Sequence, residues 1–362
     1  MTDGRDIEEI QQWLLALPHA VPQFLQKLKV PGRPGRYHYS LTGDYLREKA
    51  QWGLGNSVFF LKIIYTLGLR KEYEQEVEEA CNFIQSFQKP TGFFIDQWIE
   101  WSSVPYRLWY IFKTGNIHRG KQVHLAETRQ AFSAMTLFSH MPRYAITSLV
   151  ESEQDIERYL SALDWHKPWA AGSHFSHLLF FLACSLSENK ETLIDAAIRW
   201  VNRLQHSDGF WYMGTPSLSQ KINGAMKILT GLLVAERMNF AHADRILDTV
   251  LSAQHDTHAC DHFNITFVLT YCTKVVGTEY RNEELNTFAW DRLRRYRAHY
   301  YPSIGGFSFL PGSSGKWYYD APVSRGRNEP DIHGTCLFLW GVSLLVQILD
   351  REDIYPFHEF IS

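Results

Sequence analysis

The sequence WVNRLQHSDGFW occupies residues 200–211, where an apolar pair is followed at fixed spacing by Gln205, Gly209 and Trp211. An apolar pair fits the last turn of a helix, and glycine permits the backbone of a tight turn. The second aromatic side chain can pack over that turn. We expect the glutamine side chain to reach carbonyl groups left unpaired at the helix end. The stretch therefore predicts a helix that ends in a tight turn and leads into another helix.

The same spacing recurs in other parts of the chain. Good copies span residues 83–94 and 296–307, and weaker copies are centred on Asp164 and Gln254. The centres lie about 40 to 50 residues apart, with one longer interval, which is the period of a helical hairpin. A single aromatic-glycine turn could arise by chance in an aromatic-rich chain. Three good copies with the same spacing between residues indicate a true repeat.

Apolar residues at helical spacing indicate that the chain is all-α. Successive hairpins fit either an open solenoid or a closed ring, and we predict a single α/α toroid of five to six hairpins over residues 51–362. Residues 1–50 are expected to form an N-terminal helical extension with a Pro/Gly-rich connector. The segments with the clearest helical spacing are 56–67, 72–88, 174–187, 190–205, 222–236, 243–254, 262–276, 283–299 and 333–349.

The copy at residues 200–211 resembles the QW motif of squalene-hopene and oxidosqualene cyclases. The C-terminal stretch from Gly305 to an apolar helix after Asp331 and His333 is similar to the closing segment of a protein prenyltransferase β subunit. The resemblance implies an α/α barrel whose cavity holds an isoprenoid, acid-initiated cyclisation or prenyl transfer, and a zinc-ligand role for His333. Since those β subunits work in heterodimers, a partner subunit is also implied.

The chain departs from these families in its catalytic motifs. It contains neither the Asp-x-Asp-Asp motif of protonating cyclases nor the Asp-Asp-x-x-Asp motif of ionising ones. Where prenyltransferases carry Asp-x-Cys before an inner helix, this chain has His258-Ala259-Cys260.

Polar clusters precede several apolar helical segments. In a toroid, the N-termini of inner helices meet at one mouth of the cavity and bring free N–H groups and positive dipole character. A shared polar site at this rim is therefore predicted, although Ser, Asp and Asn at a helix start are also ordinary N-caps. The clusters are Gly55–Ser57, Gly172–His177, Gln220–Gly224, Cys260–Asn264 and Glu329–His333, with His124 and Glu127 as a further pair.

Carboxylate–histidine pairs in these clusters are the candidate catalytic groups. Asp331 and Asp261 are the candidate proton donors, because a partly desolvated carboxyl beside a histidine can act as an acid. The histidines His262, His333 and His174 would be proton partners or metal ligands.

Zinc is the one cofactor that the residues suggest. His258, Cys260 and His333 would supply three ligands and leave one open position, as in catalytic zinc sites. Asp261, His262 and Asp331 are alternate ligands. The alternative is that Cys260 is a small buried apolar side chain beside a helix-capping Asp261.

Aromatic and polar side chains near the same segments are the candidate substrate-binding residues. Aromatic walls would stabilise a carbocation by cation–π attraction, and a lysine beside a helix start would bind an anion. The aromatic candidates are Trp169, Phe175, Trp211, Tyr212, Phe263 and Tyr318, and the polar ones are Lys221, Asn223 and Asn264.

Composition limits the classes of function. The 362 residues are 45% hydrophobic and 15% aromatic, with a formal net charge of −3, so no basic excess exists to bind nucleic acid. The sequence shows no signal peptide and no apolar run long enough to span a bilayer, and we expect a cytoplasmic protein. Two rival functions are a polysaccharide lyase or hydrolase on the same fold and a non-catalytic, partner-binding helical toroid.

Overall fold

Helices account for most of the chain, and the predicted all-α class is confirmed at this level. The computed structural model describes residues 4–43, 45, 52–102, 104–114, 119–146, 149–253 and 256–362. In these ranges the helices are α1 (Gly4–Leu28), α2 (Leu54–Thr66), α3 (Glu74–Gln85), α4 (Gln97–Ser102), α5 (Val104–Thr114), α6 (Arg119–Thr136), α7 (Glu153–Ser161), α8 (Pro168–Ala183), α9 (Lys190–Asn202), α10 (Leu218–Val234), α11 (Ala243–Leu251), α12 (Ala259–Val276), α13 (Asn282–Arg297) and α14 (Ile332–Ile348).

Two short antiparallel hairpins complete the secondary structure of the described residues. Strand β1 (Tyr300–Tyr301) pairs with β2 (Gly306–Phe307), and β3 (Trp317–Tyr318) pairs with β4 (Ala321–Pro322). Both hairpins lie between α13 and α14. All nine segments predicted from helical spacing contain helices, with ends displaced by several residues.

The chain forms two compact units. The first contains Met1–Tyr144, Thr257–Cys260 and Ala289–Phe360, and the second contains Ala145–Asp256, Asp261–Phe288 and Ile361–Ser362. Helix α1 packs within the first unit, where Trp13 meets the rings of Tyr300 and Phe307 edge-on. The division into an extension and one domain over residues 51–362 stays a prediction.

Each unit has a layer of nearly fully buried helices and a layer of amphipathic ones. In the first unit α2 contacts both α6 and α14, and α3 packs on α2. In the second unit α8 packs closely on α10, and α9 contacts α7 and α8. Helices α2, α8, α10 and α14 bury most of their residues, whereas α3, α7, α9 and α11 bury one face. This is the two-layer solution by which helices bury their apolar surface.

Glycine is required where α8 and α10 cross. A Cβ on Gly172 would lie 2.9 Å from the carbonyl oxygen of Gly224, and a Cβ on Gly224 would lie 2.8 Å from the Pro168 side chain. Both distances are too short for real carbon atoms, so only glycine lets the two helix backbones approach this closely.

The repeated turn has the same backbone conformation in its three good copies. Gly92, Gly209 and Gly305 have φ angles of +87°, +88° and +96°, a region that favours glycine. The aromatic side chain two positions later is buried in every copy and packs into the core, as expected. These aromatics are Phe94, Trp211 and Phe307.

The Gln88 side chain connects its turn to a later loop. Its Nε2 donates to the Gly92 carbonyl oxygen at 3.1 Å and to the Tyr144 carbonyl oxygen at 2.7 Å, and its Oε1 accepts from the Tyr144 N–H at 3.0 Å. Because Gln88 is buried, these bonds satisfy backbone groups that water does not reach.

Gln205 repeats this arrangement in the second unit. Its Nε2 donates to the carbonyl oxygens of Gly209 at 2.9 Å and Ala241 at 2.7 Å. The expectation that this glutamine reaches carbonyls of its own helix end was therefore wrong. The glutamine instead bonds within the turn and to the loop that precedes the next amphipathic helix.

The weaker copies do not show this geometry. After Asp164 the chain enters α8 directly at Pro168, so the position expected for the turn glycine is helical. Gln254 lies outside the described residues.

We expect Gln88→Glu to destabilise the protein by about 2 kcal/mol at pH 7, because a buried carboxylate would then face two carbonyl oxygens. Gln88→Met removes the same hydrogen bonds without adding a charge and should cost less. Urea unfolding followed by far-UV circular dichroism measures both. A Gln88→Glu variant as stable as the wild type would contradict the role assigned to this side chain.

Candidate functional site

Four of the five predicted polar clusters lie inside the helices that they were expected to begin. Helix α8 begins at Pro168, because proline is well suited to a first helical position, and this places His174 in its second turn. Helix α10 begins at Leu218 after the N-cap Ser217, and α12 begins at Ala259. Local spacing did not locate these starts because the buried helices are apolar around most of their circumference.

Asp331 is the N-cap of α14. The sequence left this ordinary role open beside a role as proton donor. One of its carboxyl oxygens, Oδ1, accepts from the Gly334 N–H at 2.7 Å. Its Oδ2 accepts from the N–H groups of Phe309 at 2.7 Å and Gly315 at 3.0 Å. Burial raises the pKa of Asp331 to about 6, against these three hydrogen bonds, which lower it. The carboxylate thus anchors the loop that carries Phe309 to the start of α14.

A column of stacked rings lies in the first unit. His333 stacks on Phe59 with ring centroids 4.6 Å apart and on Phe309 at 4.9 Å. Phe309 also stacks on His258 at 5.4 Å, and Tyr318 meets His333 edge-on at 5.5 Å. We call these five side chains the aromatic recess.

The aromatic recess is partly open. Phe59 is buried, whereas His258, Phe309, Tyr318 and His333 keep part of their surface accessible. Burial nevertheless raises the pKa of Tyr318 well above its usual value. Side chains that are densely surrounded and still accessible are typical of a concave site for a small apolar molecule.

A buried carboxyl group adjoins the aromatic recess. Trp52 stacks on Tyr318 at 4.1 Å, and its indole N–H donates to Oε1 of Glu127 at 2.9 Å. Glu127 is 3% exposed, and its charge contributes to raising the pKa values of Tyr318 and Tyr319. A buried carboxyl beside accessible rings is a candidate proton donor or acceptor.

Arg129 brings a buried cation to the same place. Burial lowers its pKa to about 10, and the nearby Tyr319 and Tyr318 act in the opposite direction. Burial also raises the pKa of Tyr319 to about 12, against the effect of Arg129. The site therefore combines an aromatic surface with both a carboxyl group and a guanidinium group.

The turn that holds Tyr319 is strained. Tyr319 and Asp320 join β3 to β4 with φ angles of +44° and +69°, in a two-residue turn that favours Asn and Gly. A residue that carries a side chain loses on the order of 1–2 kcal/mol of conformational free energy in this left-handed region of backbone angles. Strain of this kind concentrates at functional sites, and here it holds Tyr319 near Arg129.

The predicted zinc ligands are placed around one aromatic ring. His258 and His333 stack their ring faces on Phe309. Among the described residues, no three His, Cys, Asp or Glu side chains come together in a way that could hold a metal ion. The combination of His258, Cys260 and His333 as a zinc ligand set stays a prediction.

The second unit brings several predicted polar residues together. The Tyr159 hydroxyl lies 3.2 Å from Nδ1 of His174, and burial lowers the pKa of His174 to about 4. The side-chain nitrogen of Asn264 donates to the Asn223 side-chain oxygen at 2.8 Å. The first contact joins α7 to α8, and the second joins α10 to α12.

Lys221 is held in a salt bridge. Its Nζ lies 2.8 Å from Oδ2 of Asp208 and 3.1 Å from the Tyr212 hydroxyl, and it sits over the Tyr212 ring at 4.2 Å. Desolvation acts to raise the pKa of Asp208. Its hydrogen bonds with the Lys221 ammonium, the Phe210 N–H and the Tyr212 hydroxyl nevertheless lower this pKa below its usual value. Asp208 accepts hydrogen bonds from both Lys221 and the Tyr212 hydroxyl. These contacts stabilise the turn after α9 that contains Gly209.

Three of the predicted aromatic wall residues are core residues. Phe175, Trp211 and Phe263 are each at most 2% exposed, and Trp211 packs against Phe240. Trp169 is partly accessible in the first turn of α8.

Asp261 and His262 are buried in α12 of the second unit. Asp331 and His333 belong to the first unit. Their proposed roles as acid and proton partner stay predictions.

Some residues of this site were not predicted. Phe59, Phe309 and Arg129 had no local motif, and Glu127 was noted only as part of a polar pair. Helix α6 carries many polar residues besides Glu127 and Arg129, so local sequence gave no signal that singled these two out.

The comparisons with known proteins found no match among family models, curated proteins or solved structures. Among the described residues, no helix is long and apolar enough to cross a membrane.

The neutral state of His174 makes stability depend on pH. Its pKa is about 4 in the folded chain and about 6.5 in the unfolded chain, so only the unfolded chain binds the proton between these values. Stability from this group is therefore lost as the pH falls below about 6.5, by about 2 kcal/mol between pH 7 and pH 5. His174→Gln should remove this part of the pH dependence.

Urea unfolding at pH 5, 6 and 7 measures the effect, with His19→Gln, at an exposed histidine of α1, as the matched control. Equal pH dependence in His174→Gln and the wild type would contradict a buried neutral imidazole.

Proposed function

We propose that this protein is an enzyme of the terpenoid cyclase and prenyltransferase type that binds an isoprenoid or similarly apolar substrate in the aromatic recess. The observation that carries the proposal is the stacked column of Phe59, His333, Phe309 and His258 beside the buried Glu127. Rings of this kind both bind apolar chains and attract developing positive charge.

The helical arrangement supports the α/α-toroid part of the proposal. Buried helices alternate with amphipathic helices along much of the chain. The glutamine turn then bonds in the same way in both units. Regular alternation of this kind is what a ring of helical hairpins requires.

Glu127 is the proposed acid. A protonated carboxyl would add its proton to a terminal alkene, the carbocation would close a ring, and loss of a proton would regenerate an alkene. His333 is placed against the same rings and is the proposed proton acceptor. The indole N–H of Trp52 donates to Oε1 of Glu127 and fixes the position of this oxygen beside Tyr318, on which Trp52 stacks.

We favour cyclisation over prenyl transfer. Asp331 already accepts three backbone N–H groups, so we assign it a positioning role and give Glu127 the acid role.

A lyase or hydrolase site in the second unit is the second candidate. The Tyr159–His174 contact favours it, because such enzymes use Tyr, His and Asn side chains. Burial, however, raises the pKa of Tyr159 above its usual value and lowers that of His174. Both side chains are thus held neutral, which weakens the tyrosine as a base.

A partner-binding role has one supporting feature. Helix α5 exposes Leu108, Trp109 and Phe112, with Phe112 93% exposed. Neighbouring exposed apolar side chains are typical of interaction surfaces, and this face is where a partner subunit would bind.

The test is incubation of the purified protein with squalene, farnesol, geranylgeraniol and their diphosphates, with products analysed by gas chromatography and mass spectrometry. We expect a cyclised isomer, and Glu127→Gln should lower its rate of formation at least about 100-fold by removing the proton. Glutamine keeps an oxygen that accepts from Trp52. The exposed Glu188→Gln is the matched control.

Full activity of Glu127→Gln would overturn the assignment of the acid. No conversion of any of these substrates by the wild type would contradict the proposed enzyme class.

A further inference from the structure

The loop between α13 and α14 carries three basic side chains close together. Residues 300–328 contain Lys316, Arg325 and Arg327, and the one acidic residue in this range of the sequence is Asp320. We call the three basic residues the basic cluster. It belongs to the first unit, and the same loop supplies two rings of the aromatic recess.

Hydrogen bonds join the two segments that carry the basic cluster. The Ser314 N–H donates to the Arg327 carbonyl oxygen at 2.8 Å, and the Val323 N–H donates to the Lys316 carbonyl oxygen at 3.0 Å. These bonds hold the segment before β3 beside the segment after β4. The three basic residues therefore lie on one connected piece of backbone.

The Lys316 side chain packs on the glycine that separates the two arginines. A Cβ on Gly326 would lie 3.5 Å from the Lys316 Cβ, 3.6 Å from its Cδ and 3.7 Å from its Cγ. The lysine stem thus crosses the backbone between Arg325 and Arg327. Lys316 and Arg327 are exposed and Arg325 is half-buried, so the cluster presents its charge to solvent.

No carboxylate of the described residues balances this charge. None of the three side chains forms a hydrogen bond or an ion pair with another residue that the structure describes. The nearby Glu329 carboxylate accepts from Ser40 and Thr42 instead. The exposed Arg203, in contrast, lies 2.9 Å from Glu157. Like charges held together in this way repel one another and raise the local concentration of anions.

We propose that the basic cluster binds the phosphate groups of a diphosphate or a similar multiply charged anion. A guanidinium group pairs with two phosphate oxygens at once, and an ammonium group binds phosphate as a point charge. Phosphate groups carry more negative charge than a carboxylate near pH 7, so they match a cluster of three cations better.

The source of the phosphate groups is either a soluble diphosphate or a phosphorylated lipid headgroup. The inference goes beyond the proposed function, because it requires neither an apolar substrate nor the acid role of Glu127. Its test therefore gives the same answer whether or not the protein converts isoprenoids.

The experiment measures binding of inorganic pyrophosphate to the full chain by isothermal titration calorimetry. The cluster variant is Lys316→Gln/Arg325→Gln/Arg327→Gln. The matched control removes three other exposed charges of the first unit and is Lys27→Gln/Arg33→Gln/Lys71→Gln. We expect the affinity for pyrophosphate to fall at least about 10-fold in the cluster variant, because charge-assisted hydrogen bonds are lost. The control should stay within about 2-fold of the wild type, since its charges lie elsewhere.

The single variant Arg327→Gln changes one exposed side chain and keeps the test possible if the cluster variant folds poorly. It should weaken pyrophosphate binding at least about 3-fold. Unchanged affinity in both variants would overturn the proposal. An equal loss in the control would do so too, because net charge alone would then account for the binding.

Vesicle sedimentation distinguishes the two sources of the phosphate groups. The vesicles are phosphatidylcholine with and without phosphatidylinositol 4-phosphate. Sedimentation that requires the phosphorylated lipid, and that is lost in the cluster variant, assigns the site to a lipid headgroup. Binding of pyrophosphate without such sedimentation assigns it to a soluble diphosphate. A wild-type protein that binds neither probe contradicts the inference.

Discussion

The paired hydrogen bonds of the turn glutamine are the interaction on which the rest of the structure depends. In a helical protein the loops carry backbone groups that no helix satisfies. Gln88 and Gln205 each supply one amide group that bonds within its own turn and to a distant loop. Each glutamine thus joins the end of one amphipathic helix to the loop before a later one.

Hydrogen bonds hold two buried carboxyl groups of the first unit. Asp331 accepts three backbone N–H groups, and Glu127 accepts from Trp52. Burying such groups without partners would cost several kcal/mol each. The strained turn of Tyr319 and Asp320 lies at the same site, where the charge of Arg129 acts on Tyr319.

The sequence predicted the helices and the turns well because both depend on local spacing. It misplaced the start of α8 because an all-buried helix has no polar face to mark its first turn. It could not predict that Phe309 stacks on both His258 and His333, since that contact joins three distant segments. For the same reason the sequence could not show how the rings of His258 and His333 pack, and the zinc ligand set stays a prediction. His333 lies beside Phe59 and Tyr318, and its chemical role stays a prediction as well.

The most direct test of the account is photo-crosslinking with a farnesol analogue that carries a diazirine on its hydrocarbon chain. Peptide mapping by mass spectrometry then locates the modified residues. The account predicts crosslinks in peptides that contain Phe59, Phe309 or Tyr318, and their loss when excess farnesol competes. Crosslinks confined to helices α8 and α10 would contradict the claim that the aromatic recess is the substrate site.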